Sequence, residues 1–189
     1  MRKHLRVFVA TGTGPAFTRL LEALRALANE PSVELFAQRG SAGPSFHDVP
    51  GEDFIPREEF AKRLVWADVV VSHAGSGAMY EAYMAGHVPI LVPRLSRFGE
   101  AVNDHQLELA TSLANAGKAA LCDDLSRLRD IVLSAKRRGH AISVQAALVE
   151  VVRNELRAPG RPTLAKATGL LPKKACPAGF ANPLRRRSA

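Results

Sequence analysis

Apolar residues along this chain follow two alternating patterns, short β-branched runs and longer segments with apolar positions at helical spacing. The short runs predict strands at residues 5–10, 32–37, 53–55, 68–72, 88–93 and 118–121. The longer segments predict helices at residues 16–28, 56–66, 78–85, 103–116, 125–138 and 142–156. Strands that alternate with helices in this way form a parallel sheet with helices on both faces. The sequence therefore predicts an α/β, Rossmann-like domain.

Composition narrows the class of protein. The chain has 189 residues, of which 47% are hydrophobic and 23% charged, a profile typical of one soluble domain and not of a disordered chain. Its two cysteines, Cys122 and Cys176, lie far apart and outside any zinc-binding spacing, which favours a reduced, cytoplasmic setting. No apolar run approaches the roughly 20 residues of a transmembrane helix, and residues 1–4 lead directly into a strand. We therefore expect neither a membrane span nor a signal peptide.

Positive charge is concentrated near the C-terminal end. Nine of the 26 basic residues but only one of the 18 acids follow Val152, so the preceding body is neutral. Pro and Gly interrupt any period there, which predicts a folded body at residues 1–157 and a basic, flexible tail at 158–189. The tail is either a solvated terminus or a segment attracted to an anionic membrane surface. Nucleic acid is a weaker alternative, because Phe180 is the tail's one aromatic residue for base stacking.

The most informative motif follows the fourth predicted strand, where Ser72, His73, Gly75, Ser76 and Gly77 lead from a buried strand into a helix. Small residues let a ligand approach the backbone there, and the first N–H groups of a helix have no partner within it. Together with the helix dipole they form a site suited to phosphate, and hydroxyl and imidazole groups can add donors. The alternative is a tight turn with a helix cap and no ligand.

Glu81 lies about one turn into the helix that follows this motif. A carboxylate at this place can accept hydrogen bonds from both hydroxyls of a ribose, as acidic residues do in other nucleotide-binding folds. The alternative is an acid that complements the positive end of the helix dipole.

A second polar cluster, Asn103, Asp104, His105 and Gln106, begins the helix after the next strand. The carboxyl ends of parallel strands share one edge of a sheet, so this cluster can face the same crevice as the first motif. Asp104 and Gln106 are then placed to bind sugar hydroxyls. The alternative is a helix capped by Asn103 with a solvated first turn.

A Thr-Gly-Thr-Gly turn at residues 11–14 ends the first predicted strand at the same edge. It has neither the Gly-x-Gly-x-x-Gly spacing of a dinucleotide fingerprint nor the Gly-Lys-Ser/Thr of a P-loop, which disfavours NAD binding and ATP hydrolysis. His73 and His105 have no third ligand in view, so we expect no metal site.

Taken in this order, the three elements resemble the C-terminal, donor-binding domain of family 28 glycosyltransferases, which is one half of the GT-B fold. The resemblance covers about residues 5–121 and is carried chiefly by His-Ala-Gly-Ser-Gly at 73–77 and His-Gln-Leu-Glu-Leu-Ala at 105–110. It is strongest for the small stand-alone versions. These are the catalytic subunit of two-part N-acetylglucosaminyltransferases of lipid-linked oligosaccharide synthesis and its bacterial exopolysaccharide counterparts.

The resemblance implies where each part of a UDP-sugar binds. The family's glycine-rich turn holds the diphosphate, and the corresponding turn here contains Ser72, His73, Gly75, Ser76 and Gly77. Thr13 matches a position beside the diphosphate. Helix N–H groups and donor side chains would stabilise the negative charge that develops on the leaving UDP, so no cofactor or metal is required.

The resemblance also implies roles for the two helix starts. The family's helix glutamate binds the ribose, which falls here on Glu81. Its Asp/Asn-x-Gln segment reads the donor sugar, which falls on Asp104, His105 and Gln106. We expect His73 and Gln106 to be the catalytic residues, and no residue is assigned as the base that deprotonates the acceptor.

Complete enzymes of the family have a second, N-terminal half that binds the acceptor, and this chain matches the donor half. The resemblance therefore implies a UDP-sugar-dependent inverting hexosyltransferase that acts with a membrane-attached partner on a lipid-linked glycan. Exopolysaccharide or cell-envelope polysaccharide synthesis is the expected process, at the cytoplasmic face of the membrane. The alternative is a non-catalytic module that binds a UDP-sugar or a nucleotide. A nucleic-acid partner is not expected, since the body is neutral.

Overall fold

The computed structural model describes residues 4–135. Within them the strands are β1 (Leu5–Ala10), β2 (Val33–Gln38), β3 (Gly51–Glu52), β4 (Val69–Ser72), β5 (Ile90–Leu91) and β6 (Ala120–Leu121). The helices are α1 (Thr18–Ala28), α2 (Arg57–Trp66), α3 (Ser76–Met84), α4 (His105–Asn115) and α5 (Leu128–Ser134). Strands and helices alternate, as the apolar pattern predicts.

These strands form one parallel sheet in the order β3-β2-β1-β4-β5-β6. The order reverses between β1 and β4, which are neighbours with Ala10 opposite Ser72. Loops that follow two such strands leave the sheet in opposite directions and open a crevice at its carboxyl edge. The predicted α/β, Rossmann-like fold is confirmed, and its topology places the glycine turns at 11–14 and 73–77 side by side.

Both faces of the sheet are buried, and β1 shows this by strict alternation. Val7 and Val9 belong to the core beneath α1 and α5, whereas Phe8 and Ala10 pack with Leu64 of α2 on the opposite face. Burying each large side chain contributes roughly 1.5–3 kcal/mol. The apolar stripe of α1 is fully buried and consists of Leu20, Leu21, Leu24 and Leu27.

Helix α3 is anchored along its length between α2 and α4. Its Ala82 packs with Phe8 of β1, and its Met79 and Tyr83 form a second cluster with Leu91 of β5. The Tyr83 hydroxyl donates to the Lys118 carbonyl at 3.1 Å. This packing fixes the N-terminus of α3 at the crevice.

β3 lies two residues earlier in the chain than predicted. It pairs with the end of β2, where Gly51 lies opposite Ala37 with a φ of +141°, and a Cβ at this glycine would overlap the Ala37 backbone. Asp53, which the apolar pattern places in the strand, instead forms an ion pair with buried Arg39, with 2.9 Å between its Oδ1 and the arginine Nε. Close backbone approach therefore selects the glycine over the more apolar run beside it.

Each described helix starts one to three residues away from its predicted start, and two of these differences fall in the polar motifs. α3 begins two residues earlier, at Ser76, so the small residues of the motif form its first turn instead of a loop before it. α4 begins two residues later, at His105, with Asp104 in the N-cap position. Both differences move polar residues of the motifs relative to the helix ends.

The described residues end within the last part of the predicted body. The helix predicted at 142–156, the boundary at 157/158 and the basic tail at 158–189 lie outside them. Among the described helices, none combines the length and the apolar character needed to cross a bilayer.

Candidate functional site

The first glycine turn follows β1 and is fixed by the end of β2. Thr11 is buried, and its N–H and its hydroxyl both donate to the Gln38 carbonyl, at 3.2 and 2.9 Å. Gly12 has a φ of +89°, which favours glycine, and a Cβ at Gly40 would lie 2.6 Å from the Gly12 carbonyl oxygen. The backbone of this turn therefore forms a fixed wall of the crevice.

His73 joins the first glycine turn to the second. Its N–H donates to the Ala10 carbonyl at 3.1 Å, and its ring Nδ1 lies 3.3 Å from the same oxygen. A Cβ at Gly12 would lie 2.7 Å from Nε2 of the ring, and a Cβ at Gly75 would overlap that atom. The imidazole fits here because both of its neighbours lack a side chain.

The protonation of His73 follows from these contacts. A carbonyl oxygen accepts only, so Nδ1 carries the proton and the neutral ring offers Nε2 as an acceptor. Burial lowers the pKa of His73, and the positive charge of Arg94 lowers it further, while the bond to the Ala10 carbonyl raises it. The free ring is therefore neutral at pH 7. It can accept a bond from a hydroxyl or, once an anion promotes its protonation, donate one to a phosphate.

The first turn of α3 is open to a ligand. Gly75 occupies the N-cap position and no side chain caps the helix. Ser76 and Gly77 are exposed, and a Cβ at Gly77 would meet nothing within 4 Å. Ser72 differs, because it is buried and its hydroxyl donates to the His73 carbonyl at 2.8 Å. The helix thus presents its first N–H groups and a serine hydroxyl at its positive end.

The two turns and α3 border one pocket of about 480 Å³. This volume lies within the range of small-molecule sites. Backbone and polar groups form one side, whereas Ile55 and Phe60 give the other side an apolar wall. The lining residues are Ala10, Gly12, Thr13, Gln38, Ile55, Arg57, Phe60, His73, Gly75, Ser76, Gly77, Ala78 and Glu81.

Glu81 and Arg57 form an ion pair at the edge of this pocket, with 3.3 Å between Oε1 and Nε. The arginine side chain is 87% exposed and the glutamate side chain 29% exposed. An ion pair with one partner so exposed contributes about 1 kcal/mol or less, so ligand hydroxyls can replace the arginine. Glu81 therefore offers a carboxylate to the pocket at little cost.

The polar residues at the start of α4 hold the loop between β5 and α4. Oδ1 of Asp104 accepts a bond from the Ser96 N–H at 2.7 Å, and this bond lowers the pKa of Asp104. Oε1 of Gln106 accepts a bond from the Arg94 N–H at 3.1 Å. His105 is exposed. In the described part of the chain, these three side chains are not among those that line the pocket.

The structure thus divides the residues predicted from the sequence. The pocket brings together Thr13, His73, Gly75, Ser76, Gly77 and Glu81. Outside its lining lie Ser72, Asp104, His105 and Gln106. Residues 4–135 contain no group of three or more His, Cys, Asp or Glu side chains that could hold a metal ion, and the expectation of a metal-free site stays a prediction.

Sequence reasoning missed the α2 side of the pocket. Gln38, Ile55, Arg57 and Phe60 line it, but in the sequence Gln38 follows a predicted strand, Ile55 lies in a short apolar run and the other two lie in a predicted helix. The signal that could have found them is the strand order. With β3 next to β2, the segment that leads from β3 into α2 reaches the same edge of the sheet as the glycine turns.

Comparison with known proteins agrees with this geometry. Residues 7–149 match the glycosyltransferase family 28 C-terminal domain. The UDP-N-acetylglucosamine–N-acetylmuramyl-(pentapeptide) pyrophosphoryl-undecaprenol N-acetylglucosamine transferase of Nitratidesulfovibrio vulgaris (strain DSM 19637 / Miyazaki F) is 29% identical over 170 residues. The match covers 85% of this chain and 41% of that protein, so the chain spans less than half the length of this relative.

Two solved structures share the fold. The solution structure of ALG13 has a TM-score of 0.55 at 16% identity and covers 79% of this chain and 96% of the solved one. The crystal structure of Acinetobacter baumannii MurG has a TM-score of 0.52 at 23% identity and covers 71% of this chain and 42% of the other. The fold is that of one half of a GT-B glycosyltransferase, and the resemblance drawn from the motifs is confirmed. The chain belongs to glycosyltransferase family 28, whose C-terminal domain it contains.

Proposed function

We propose that this chain is the donor-binding, catalytic subunit of a UDP-sugar-dependent inverting hexosyltransferase. The observation that carries the proposal is the pocket at the β1/β4 switch point, where two glycine turns, His73 and the open first turn of α3 converge. Backbone N–H groups at a helix start suit a diphosphate. Membership of family 28 supports a nucleotide-sugar as the molecule that carries it.

The dimensions of α3 fit the nucleotide part of such a donor. Ser76 begins the helix and Glu81 follows five residues later, about 7.5 Å along the axis at 1.5 Å per residue. A diphosphate at the first turn therefore has its ribose hydroxyls within reach of the Glu81 carboxylate. The apolar wall formed by Ile55 and Phe60 then takes the base. Thr13, on the opposite turn, lies beside the diphosphate.

Transfer requires that negative charge on the departing UDP be stabilised. The N–H groups of the α3 first turn and the Ser76 hydroxyl are already in place, which is the condition for effective electrostatic stabilisation. When the anionic diphosphate binds beside it, the His73 ring takes up a proton from solvent, and Nε2 then donates a hydrogen bond to the departing UDP. The step needs no cofactor or metal in this proposal. The bond from the anomeric carbon to the UDP oxygen breaks as the bond to the acceptor oxygen forms with inversion, and the acceptor hydroxyl gives its proton to a base on the partner.

The donor sugar lies toward α4 in this proposal. Oε1 of Gln106 is engaged by the Arg94 N–H, so Gln106 contacts a sugar hydroxyl through its amide N–H groups. Asp104 and His105 complete the sugar contacts, and Gln106 is the second catalytic residue. The same bond to Arg94 also favours the alternative, a module that binds a UDP-sugar without transferring it, because it gives Gln106 a structural role.

The proposed acceptor rests on the name of a relative, and the proposed partner rests on the resemblance to two-part transferases. The match of this chain spans 41% of the Nitratidesulfovibrio vulgaris transferase, whose name gives a pyrophosphoryl-undecaprenol acceptor. We propose a lipid-linked glycan acceptor, a membrane-attached subunit that binds it, and a place at the cytoplasmic face in exopolysaccharide or cell-envelope polysaccharide synthesis. The basic residues at 158–189 would add attraction to anionic lipid. Nucleic acid has no part in this function.

Titration with UDP tests the donor site. Ser76→Ala and Glu81→Ala are each expected to weaken UDP binding at least about fivefold, because each removes a polar contact to the ligand. Ser134→Ala on α5 and Glu58→Ala on α2 are the matched controls, since both side chains are exposed and do not line the pocket, and affinity should change less than about twofold. Isothermal titration calorimetry measures the UDP affinity of the wild type and of all four variants. Absence of saturable UDP binding, or equal losses in all four variants, would contradict the proposal.

Substitution of Gln106 separates the enzyme from the binding module. With the acceptor-binding partner and a UDP-sugar present, Gln106→Ala should reduce the rate of transfer at least about tenfold while UDP affinity stays nearly constant. If the partner-complemented chain transfers no sugar although it binds UDP-sugars, the binding module is the better description.

A further inference from the structure

A buried arginine lies beneath the first glycine turn. Arg94 lies in the loop from β5 toward α4, three residues after Leu91, and is only 4% exposed. Its Nη2 donates to the Thr11 carbonyl at 2.9 Å, and its Cζ lies 4.6 Å from the centroid of the Phe17 ring at the start of α1. The guanidinium is therefore enclosed between the turn that borders the pocket and the helix that follows it.

The charge of Arg94 is incompletely paired. Its Nη1 is buried and finds no hydrogen-bond partner within residues 4–135. Glu100, the acid that acts on it, makes a two-pronged pair with Arg19 at 3.0 and 2.9 Å and reaches Arg94 only at longer range. Over the same described residues, no carboxylate oxygen comes close enough to the Arg94 guanidinium, within 4.0 Å, to form an ion pair with it.

An unpaired buried cation is unfavourable unless something else compensates for it. Burial lowers the pKa of Arg94, yet a guanidinium stays protonated at neutral pH, so the positive charge persists. The electrostatic field of Arg94 reaches the pocket, because its positive charge contributes to lowering the pKa of His73, which lines that pocket. The missing counter-charge is therefore expected from an anion in the pocket.

We propose that Arg94 is a positioning residue of the donor site, which holds the Thr11–Gly12 turn and supplies the positive charge that balances the donor's diphosphate. This inference rests on the proposed function and deepens it. Arg94 acts through the Thr11 carbonyl and through its field, which is strong in a water-poor interior. Because its backbone N–H also binds Gln106, the same residue connects the diphosphate turn with the start of α4.

The proposal distinguishes the charged part of the ligand from the neutral part. UDP carries the diphosphate and uridine does not, so the charge of Arg94 matters for the first and not for the second. A purely structural role would affect both ligands alike, since the same pocket takes both.

The experiment compares UDP and uridine binding to the wild-type chain, Arg94→Met and Arg94→Lys. Arg94→Met should weaken UDP binding at least about tenfold and change uridine binding less than about twofold, because it removes the charge. Arg94→Lys keeps the positive charge but loses the forked N–H donors of the guanidinium, and its affinity for UDP should remain within about threefold of the wild type. Arg97→Met, an exposed arginine of the same loop, is the matched control and should bind both ligands as wild type does.

Several outcomes overturn the inference. The first is an Arg94→Met variant that binds UDP with the affinity of the wild type. The second is a variant whose affinities for UDP and for uridine fall equally, which would leave Arg94 a role in folding alone. If Arg94→Met does not fold, Arg94→Gln keeps a donor for the Thr11 carbonyl without the charge and gives the same comparison. Wild-type UDP binding that responds to Ser76→Ala but not to loss of the Arg94 charge overturns this inference alone. A wild-type chain that does not bind UDP overturns the proposed function as well.

Discussion

The two polar clusters at the crevice edge look alike in sequence and differ in structure. At the start of α3, Ser76 and Gly77 are exposed and the helix has no side-chain cap, so its donors await a partner. At the start of α4, Asp104 already binds the Ser96 N–H and Gln106 already binds the loop backbone. Polar groups that the chain leaves unsatisfied indicate a ligand more directly than polar groups that stabilise their own loop.

The largest expected effect comes from displacing the His73 ring from its place between Gly12 and Gly75. Gly75→Val would place a side chain where the imidazole ring lies, and overpacking of this kind costs about 2 kcal/mol of unfolding free energy. The displaced ring should also reduce UDP affinity more than about tenfold, because the turn and α3 would no longer face the ligand together. Urea denaturation and UDP titration measure the two effects.

Gly14→Ala is the control for this substitution. A Cβ at Gly14 meets nothing within 4 Å, so the variant should match the wild type in stability. Native stability and full UDP affinity in Gly75→Val would show that the ring is not held between the two glycines.

A smaller effect, with the opposite balance, is expected at the other cluster. Asp104→Ala removes the bond to the Ser96 N–H and should lower the thermal midpoint, since it frees the loop before α4. UDP affinity should stay unchanged because UDP lacks the sugar that α4 is proposed to face. Asp123→Ala, which removes an exposed acid next to β6, is the control for lost charge. A drop in UDP affinity equal to that of Glu81→Ala would erase the difference between the clusters.

The sequence predicts one side of this site well and the other poorly. Apolar runs locate β1 and β4. The glycine turns after them are then found from the local sequence alone, because small residues at the end of a strand mark a turn whatever the strand pairs with. Ile55 and Phe60 belong to the pocket only because β3 lies beside β2. The apolar pattern of a single segment does not predict this strand order. Arg94 follows the strand predicted at 88–93, and because arginine is rarely buried, nothing in the pattern predicts its burial against Phe17, which only tertiary packing produces.

Gly77 offers a sharper test, in which stability and binding change in opposite directions. A Cβ at this position meets no atom within 4 Å and the residue lies in the first turn of α3, so Gly77→Ala should raise the unfolding free energy by about 0.5 kcal/mol. The same methyl group faces the pocket and should weaken UDP binding. Denaturation and titration of one preparation decide it, and unchanged binding would place the diphosphate elsewhere.

The smallest effect concerns the charge of His73. The folded chain lowers the pKa of this ring, chiefly by burial, whereas the unfolded chain takes a proton near the ordinary value of about 6.5. The neutral ring's contribution to stability is therefore complete above that value and is lost as the pH falls through the lower folded pKa. We expect the stability difference between the wild type and His73→Gln to decrease on acidification from pH 7.5 to 5.5, with the other histidines cancelling. Saturating UDP-sugar should flatten this trend, because a diphosphate beside the ring restores its affinity for a proton. A difference that grows on acidification would mean that the ring is charged in the free chain, and the glycine turns would then hold an imidazolium before any donor binds.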